Sequence, residues 1–517
     1  MKKLLVFFTG MLLFLQQGQA QFKRHYWLNP NSENYTLSYP ASNGEWMLAA
    51  ARQERGATKK NTIAVFRLDN AYNILDSRII GLPGGAGEHP FNPNVDFDIH
   101  CIVESYNPIG YYIICGTIRR DEATASGTGL VVVTDAGLNP LSIREYPEVS
   151  HFYSVYAQDN FYFVCGQTQD RRGIVLRDNI TTFIPTATAY VTDDQWDYQK
   201  IRVVNSPGSG QIKISGTGYF EDEDGEEFQT LGFSVFFVSG GNLVPRPNAA
   251  SPPLPPNPFA SWQFQPVNNH GINSKVVIAN HPGGAGGEGV ILSVSDANNI
   301  YTYFFFQLPF FSSSFRIPCQ GGVLEDMECA GPGGGVQTSQ IAWVGNRYNA
   351  DEQPFQTAYY LHMDLPITPP PFPFTGGTAT FTYFHPFPAV DNAYYSLHKL
   401  YFHRNLGDLL FHAGGYYQHY DGNKATFVVT PDILYIGDEG DDGDENKCIT
   451  RQNVTAINLG YPQLLPLELY DKNIQVVQFE VLSKKYLFCE IDCEGEYKPA
   501  TEECGNKQTG IIIIDNE

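Results

Sequence analysis

The stretch Ile113-Ile114-Cys115-Gly116, followed after a loop by Gly129-Leu130-Val131-Val132-Val133-Thr134-Asp135, decides the fold. Two apolar residues, a small one and a glycine precede a second apolar run that ends in aspartate. The pattern returns as Phe163-Val164-Cys165-Gly166 with Gly173-Ile174-Val175-Leu176-Arg177-Asp178. Further first halves are Met47-Leu48-Ala49-Ala50, Lys213-Ile214-Ser215-Gly216, Val277-Ile278-Ala279-Asn280, Ala342-Trp343-Val344-Gly345, Phe411-His412-Ala413-Gly414 and Leu487-Phe488-Cys489-Glu490. Second halves run from Ile63 to Asp69, Gly289 to Asp296, Tyr359 to Asp364, Ala425 to Asp432 and Gly510 to Asp515. A unit that recurs at this spacing is one supersecondary module stacked on copies of itself.

Each copy is rich in Val, Ile, Tyr and Phe and is bounded by Gly, Pro, Asn and Asp, the composition of short strands and turns. A further strand candidate precedes each first half, such as Phe97 to Glu104, and another follows each second half, such as Leu141 to Tyr146. Four short antiparallel strands per unit are the content of a propeller blade. The expected fold is therefore an all-β β-propeller of about eight four-stranded blades, with seven as the alternative. The segment Phe22 to Leu28 is expected to lend a strand to the last unit, so that strands from both ends of the chain close the ring and remove open sheet edges. The small residue lets the neighbouring sheet approach closely, and the glycine permits a bulge. The closing Asp suits a turn, where its carboxylate accepts backbone hydrogen bonds.

Lys2 and Lys3, the apolar stretch Leu4 to Leu15 and the small residues Gly18-Gln19-Ala20 read as a secretory signal, residues 1–20. The apolar stretch is shorter than the ~20 residues that span a bilayer, and no later segment serves as a span. The mature chain, 21–517, is expected to be one exported propeller domain, monomeric, in the periplasm, at the cell surface or secreted. The chain carries 33 basic against 55 acidic residues, a formal charge of −22. Such a surface repels phosphate backbones, which excludes nucleic acid and anionic membranes as partners.

Nine cysteines in an exported chain invite a disulfide reading. The expected bridges are Cys319–Cys329 and Cys493–Cys504, each closing a short loop, with Cys448 and Cys489 as a weaker third. Cys115 and Cys165 occupy the small-residue position of the repeat and read as free packing residues.

Candidate chemistry is sparse. Two acidic loops have the composition of calcium sites, which need six to eight oxygens. One supplies Asp222, Asp224 and Glu227, the other Asp438, Asp441, Asp442 and Asp444; calcium is accordingly the one cofactor considered, against a solvated acidic turn. Trp196, Trp262, Tyr416 and Tyr417 lie near predicted loops, where aromatic faces stack on sugar rings. His398, His403, His412 and His419 form the densest histidine group, without a zinc-binding helical spacing. There is no nucleophile elbow, no phosphate loop and no residue that sequence alone marks as catalytic.

The blade pattern and signal sequence together resemble the secreted β-propeller proteins of Bacteroidetes-type bacteria. The sialidase, WD40 and quinoprotein signatures are missing, and only Gly414-Gly415 is similar to a kelch pair. The leading expectation is a non-catalytic binding or scaffolding propeller that recognises a glycan or a cell-envelope protein through loops on one face. The alternative is a glycan-active lyase or hydrolase at the central channel. Inward-facing His, Tyr and Arg at the channel mouth would favour the enzyme; a flat aromatic or acidic loop face would favour the binder.

Overall fold

The computed structural model describes residues 24–27, 37–40, 45–54, 57–69, 74–85, 90–105, 109–120, 127–204, 210–221, 227–247, 260–266, 272–280, 289–306, 311–330, 339–348, 356–365, 377–384, 394–405, 408–418, 424–429, 449–459, 462, 464–487, 489–491, 497–499 and 512–514. The signal segment 1–20 lies outside them. The described residues form an all-β protein, and no helix among them is long and apolar enough to cross a membrane.

Among the described residues the strands form six hydrogen-bonded sheets, and the ten-stranded one divides within the strand Thr186–Val204, giving seven consecutive antiparallel groups of four, sheets one to seven. Sheet one holds Leu37–Pro40, Trp46–Arg52, Thr62–Leu68 and Ile74–Gly81; sheet two holds Asp96–Glu104, Tyr112–Arg119, Thr128–Thr134 and Pro140–Tyr146. Sheet three comprises Val149–Gln158, Phe161–Thr168, Arg172–Asn179 and the first half of the long strand Thr186–Val204. The second half of that strand opens sheet four, continued by Gly210–Glu221, Glu227–Ser239 and Ser261–Phe264. Sheet five is Val277–Asn280, Val290–Ser295, Asn299–Phe306 and Phe311–Pro318; sheet six is Gly322–Ala330, Ser339–Tyr348, Gln356–Leu365 and Thr378–Phe384. Sheet seven takes Tyr394–Asn405, Asp408–Gln418 and Lys424–Val429, and its fourth strand is Arg24–Trp27 from the other end of the chain. Each sheet packs on the next, and the first strand of sheet one also meets sheet seven. Sheets that succeed one another around a common centre in this way make a β-propeller.

The repeat reads correctly onto six of the seven sheets. In sheets one, two, three, four, six and seven the small-residue tetrad lies in the second strand. Ala49, Cys115, Cys165, Ser215, Val344 and Ala413 are all fully buried there. Contact with the neighbour is direct: Ser215 donates to the Val276 carbonyl of sheet five at 2.8 Å. The closing aspartates behave as turn formers in two copies. Asp135 accepts from the amides of Gly137 and Asn139, and Asp296 from those of Asn298 and Asn299. The fifth copy is displaced by one strand, because Val277–Asn280 is the first strand of sheet five and pairs with Val290–Ser293.

The eighth copy does not found a sheet of its own among the described residues. Leu482–Leu487 pairs with the outer edge of sheet one, and Cys489–Ile491 pairs with Arg24–Trp27 of sheet seven. Both belong to a longer device. Ile449–Thr455 edges sheet six, Ile457–Leu459 sheet five, Leu465–Pro466 sheet four, Leu469–Gln475 sheet three and Val477–Phe479 sheet two. The segment 449–491 therefore visits the outer edge of every sheet in reverse order. An outer strand with unpaired amides and carbonyls is a template for association, and this belt satisfies it along all seven sheets. The last belt strands read as a blade in the sequence because they share its Val, Ile, Leu and Tyr content.

Candidate functional site

The repeat glycine has a specific cause. A Cβ on Gly116 would run into the carbonyl oxygen of Asp98, one on Gly166 into that of His151, and one on Gly216 into that of Asp197. Gly345 faces the carbonyl of Val323 in the same way, and in sheet seven it is Gly415, one residue beyond the tetrad 411–414, that faces the carbonyl of Ser396. Each carbonyl belongs to the first strand of the same sheet, and each lies two residues before a break in register. The breaks fall between Ile99 and Cys101, Phe152 and Ser154, Tyr198 and Lys200, Leu324 and Asp326, and Leu397 and Lys399. The extra residue is His100, Tyr153, Gln199, Glu325 or His398. A bulge bends its strand and re-aims a side chain, and here the five bulges aim at one place.

That place is a cavity of about 280 Å³ lined by all five bulged residues together with Asp98, Lys200, Lys275 and Lys399. Its walls come from the first strands of sheets two, three, four, six and seven and from the chain entering sheet five. Six of the seven sheets thus surround a single hollow.

Polar contacts fix the lining. His151 Nε2 lies 3.1 Å from Asp197 Oδ1, and its ring packs on Tyr153 with centroids 4.3 Å apart. His100 also meets Tyr153, edge-on at 5.0 Å. Lys275 Nζ lies 4.4 Å over the Tyr153 ring centre, a cation–π placement. His398 reaches Ser396 Oγ through Nε2 at 2.8 Å, while its Nδ1 is 3.6 Å from Glu325 Oε2. Gln199 accepts the Val276 amide, which ties sheet four to sheet five at the rim.

Beneath the cavity a buried ionic network crosses between sheets. Asp326, fully buried, sits 2.7 Å from Lys200 Nζ and 3.3 Å from Arg202 Nη2, and it accepts the amide of Leu400 from sheet seven. Arg202 also meets Glu328 at 3.1 Å and the Met327 carbonyl at 2.9 Å. Burial alone would raise the Asp326 carboxyl, yet Lys200, Arg202 and Lys399 overcome it and hold the group at about 2. Lys200 moves for a different reason: burial first, then the charge of Arg202, draws its ammonium down to about 7 in spite of Asp326.

The titratable groups of the lining are set apart from one another in the same manner. Burial, then Lys275 and His151, push His100 well below the usual imidazole range, so it is neutral at pH 7. Burial would raise Glu325, but His398, Lys275 and Lys399 reverse the shift and keep it an anion. The Tyr153 hydroxyl is pushed up, by burial and then by Asp197 and Asp98. The cavity thus brings a neutral imidazole, a phenol that holds its proton and a carboxylate together around one space, the inventory of acid–base chemistry.

The residues expected from sequence fall elsewhere. Trp196 and Trp262 are each about 1% exposed. Trp196 is enclosed by glycines, since a Cβ at Gly173, Gly216, Gly218 or Gly232 would strike its ring; Trp262 packs in the core of sheets four and five. Neither offers a face to a sugar. Tyr416 and Tyr417 lie in the strand Asp408–Gln418, with side chains outside the described set. The acidic residues Asp222, Asp224, Asp438, Asp441, Asp442 and Asp444 lie outside the described residues, and Glu227 begins the strand Glu227–Ser239. No metal-holding group of His, Cys, Asp or Glu occurs among the described residues. Of the histidine group His398 lines the cavity, while the side chains of His403, His412 and His419 lie outside the described set.

The Cys319–Cys329 bridge is not formed: both thiols are free. Cys319 precedes the strand Gly322–Ala330, whereas Cys329 stands near its far end. Seven extended residues at ~3.3 Å each separate Gly322 from Cys329, several times the Cα spacing that a disulfide tolerates. Cys493 and Cys504 lie outside the described residues, as does Cys448. Cys115 and Cys165 are free and buried as expected. Cys101 pairs directly across from Cys115, and the Cys115 hydrogen bond, then Lys399 and Lys200, draws its thiol down.

No protein-family model matches the sequence, and no curated protein matches it. Among solved structures the chain is similar to the Dos1 propeller, at 11% identity and a TM-score of 0.40, over 78% of this chain and 95% of that one. It is similar to the α-L-arabinofuranosidase Arb93A of Fusarium graminearum at 9% identity and a TM-score of 0.37, over 66% of this chain and 98% of that one. The Penicillium chrysogenum α-L-arabinanase, complexed with arabinobiose, aligns at 10% identity and a TM-score of 0.35, over 62% and 93% of the two chains. The chain is thus a β-propeller by its strand pairing, and similarity at this level adds nothing about its chemistry.

Proposed function

We propose that the protein is an exported, single-domain propeller of seven blades in a closed ring, which takes a glycan into its central cavity and acts on it by acid–base chemistry. The observation that carries this reading is the convergence of His100, Tyr153, Gln199, Glu325 and His398, five bulged residues from five sheets, on one hollow. A structural core has no use for five separately re-aimed polar side chains. Glycosidic bond cleavage, by hydrolysis or by elimination, needs one group to remove a proton and another to supply one. His100 and Glu325 are the bases of the set and Tyr153 is the acid. The burial of Trp196 and Trp262 removes half of the aromatic set on which a binding face was expected. Membership of the secreted Bacteroidetes-type group is part of the same proposal and rests on the signal sequence and blade pattern.

The test is a panel of polysaccharides offered to the purified mature chain, with binding and release of shortened sugars read together. Release is expected for at least one class, falling by about 10²-fold or more in Glu325→Gln. Binding without release that persists in both Glu325→Gln and Tyr153→Ala would move the site to the loops and restore the binding module. A cell-envelope protein then becomes the partner to seek.

A further inference from the structure

The balance of charge inside the cavity points to the kind of glycan. Three lysines, Lys200, Lys275 and Lys399, line it, in a chain whose formal charge is −22. Its carboxylates already have partners: Glu325 faces His398 at 3.6 Å, and Asp98 faces Arg119 at 3.8 Å. Lys200 is engaged by Asp326 at 2.7 Å. Lys275 and Lys399, by contrast, have no carboxylate within salt-bridge distance among the described residues, and Lys399 is 8% exposed. Glu325, and for Lys399 also Asp326, act on these ammoniums only from beyond contact distance, so neither lysine donates to a carboxylate that would replace its lost hydration. The aromatic face of Tyr153 holds the Lys275 ammonium at 4.4 Å without neutralising it.

We infer that Lys275 and Lys399 form an anion seat, and that the ligand of the central cavity is an acidic saccharide whose carboxylate or sulfate ester occupies it. This rests on the central cavity being the glycan site. Gln199, His100 and Tyr153 supply the donors and acceptors for hydroxyls around such a sugar, and the two lysines select for its charge. In an acidic protein this selection is local: the surface repels a polyanion, while the cavity retains one charged unit of it.

Titration calorimetry on the full mature chain separates the possibilities with matched pairs of ligands. One pair is an oligogalacturonate and its methyl ester; the other is a sulfated oligosaccharide and its desulfated counterpart. The charged member of one pair is expected to bind at least 10-fold more tightly, and which pair responds identifies carboxylate or sulfate. Lys275→Gln is expected to erase that preference, with charged and neutral members compared on the same variant; Lys399→Gln, at a more buried site, is the second variant. Equal binding of charged and neutral members, lost in Glu325→Gln, would overturn the anion seat and leave the cavity as the glycan site. A charge preference that survives both lysine variants would overturn it as well. Inorganic sulfate competing as strongly as the charged saccharide would overturn the saccharide assignment. Absence of all saccharide binding would take down the cavity reading and this inference together.

Discussion

Gly166→Ala tests the relation between the repeat and the site in one substitution. Its new Cβ would lie 2.9 Å from the His151 carbonyl carbon and 3.0 Å from the Phe152 Cα, with the His151 oxygen closer still. All three are backbone atoms of the bulge that presents Tyr153, so no side-chain rotation relieves the clash. Either the two strands part or the bulge collapses into regular pairing, and both are overpacking costs of about 1–3 kcal/mol. Gly85→Ala is the control, because nothing lies within 4 Å of a Cβ there and the backbone is not in the left-handed region. Its effect is expected to stay within about ±1 kcal/mol and to lean toward stabilisation through the unfolded chain. Urea unfolding followed by tryptophan fluorescence measures both. Gly166→Ala should also weaken ligand binding, since Tyr153 shifts with its bulge. A Gly166→Ala protein as stable as the control, with the cavity's ligand bound as before, would refute the claim that the glycine exists to admit the bulge.

The ionic floor makes a pH prediction. Asp326 is held at about 2 in the folded protein against ~3.9 unfolded, so it contributes stability above pH 4 that is lost as pH falls toward 2. That loss amounts to roughly 2–3 kcal/mol. Asp326→Asn should remove this part of the acid dependence and, by leaving Lys200 and Arg202 buried without their shared anion, cost about 3–5 kcal/mol at pH 7. Acid titration of unfolding in both proteins reads the difference. Cys101, Cys115, Cys165, Cys319 and Cys329 should all react with a thiol reagent in denaturant without prior reduction, and a bridged Cys319–Cys329 peptide in a non-reducing digest would contradict the assignment. Ending the chain before Ile449 should expose the outer edges of all seven sheets and shift the protein from a single sedimenting species to aggregates. A truncated chain that stays monodisperse would show that the belt is dispensable for edge protection.

The propeller was legible in the sequence because its unit carries two independent signals, strand composition and the small residue before glycine, and both have local causes. The small residue is fixed by the neighbouring sheet and the glycine by a carbonyl of the strand beside it, so sheets two, three, four, six and seven carry the glycine however far their loops diverge, while Ala50 and Asn280 stand in its place in the first and fifth copies. The number of sheets was less legible. Leu487-Phe488-Cys489-Glu490 has blade composition, but its strands pair with sheets whose sequences lie hundreds of residues away. Composition marks a strand and is silent about its partner. For the same reason a belt is invisible until pairing is known.

The site was hidden for a related reason. The bulged positions are occupied by His100, Tyr153, Gln199, Glu325 and His398, five residues of four different types, so no column of the repeat looks chemical. A ring that builds one cavity from several copies gains most when the copies differ there and agree everywhere else. The signal that could have found them is positional: the inner-strand residue beside the bulge that each repeat glycine admits. That coordinate holds two imidazoles, a phenol, an amide and a carboxylate, whereas the aromatics Trp196 and Trp262 lie in the core. The glycine is thus a pointer in the sequence to residues it does not adjoin, since Gly116 marks His100 and Gly415 marks His398 across a strand pair. The invariant part of the unit makes the variable part face inward, and the chemistry is written only in the variable part.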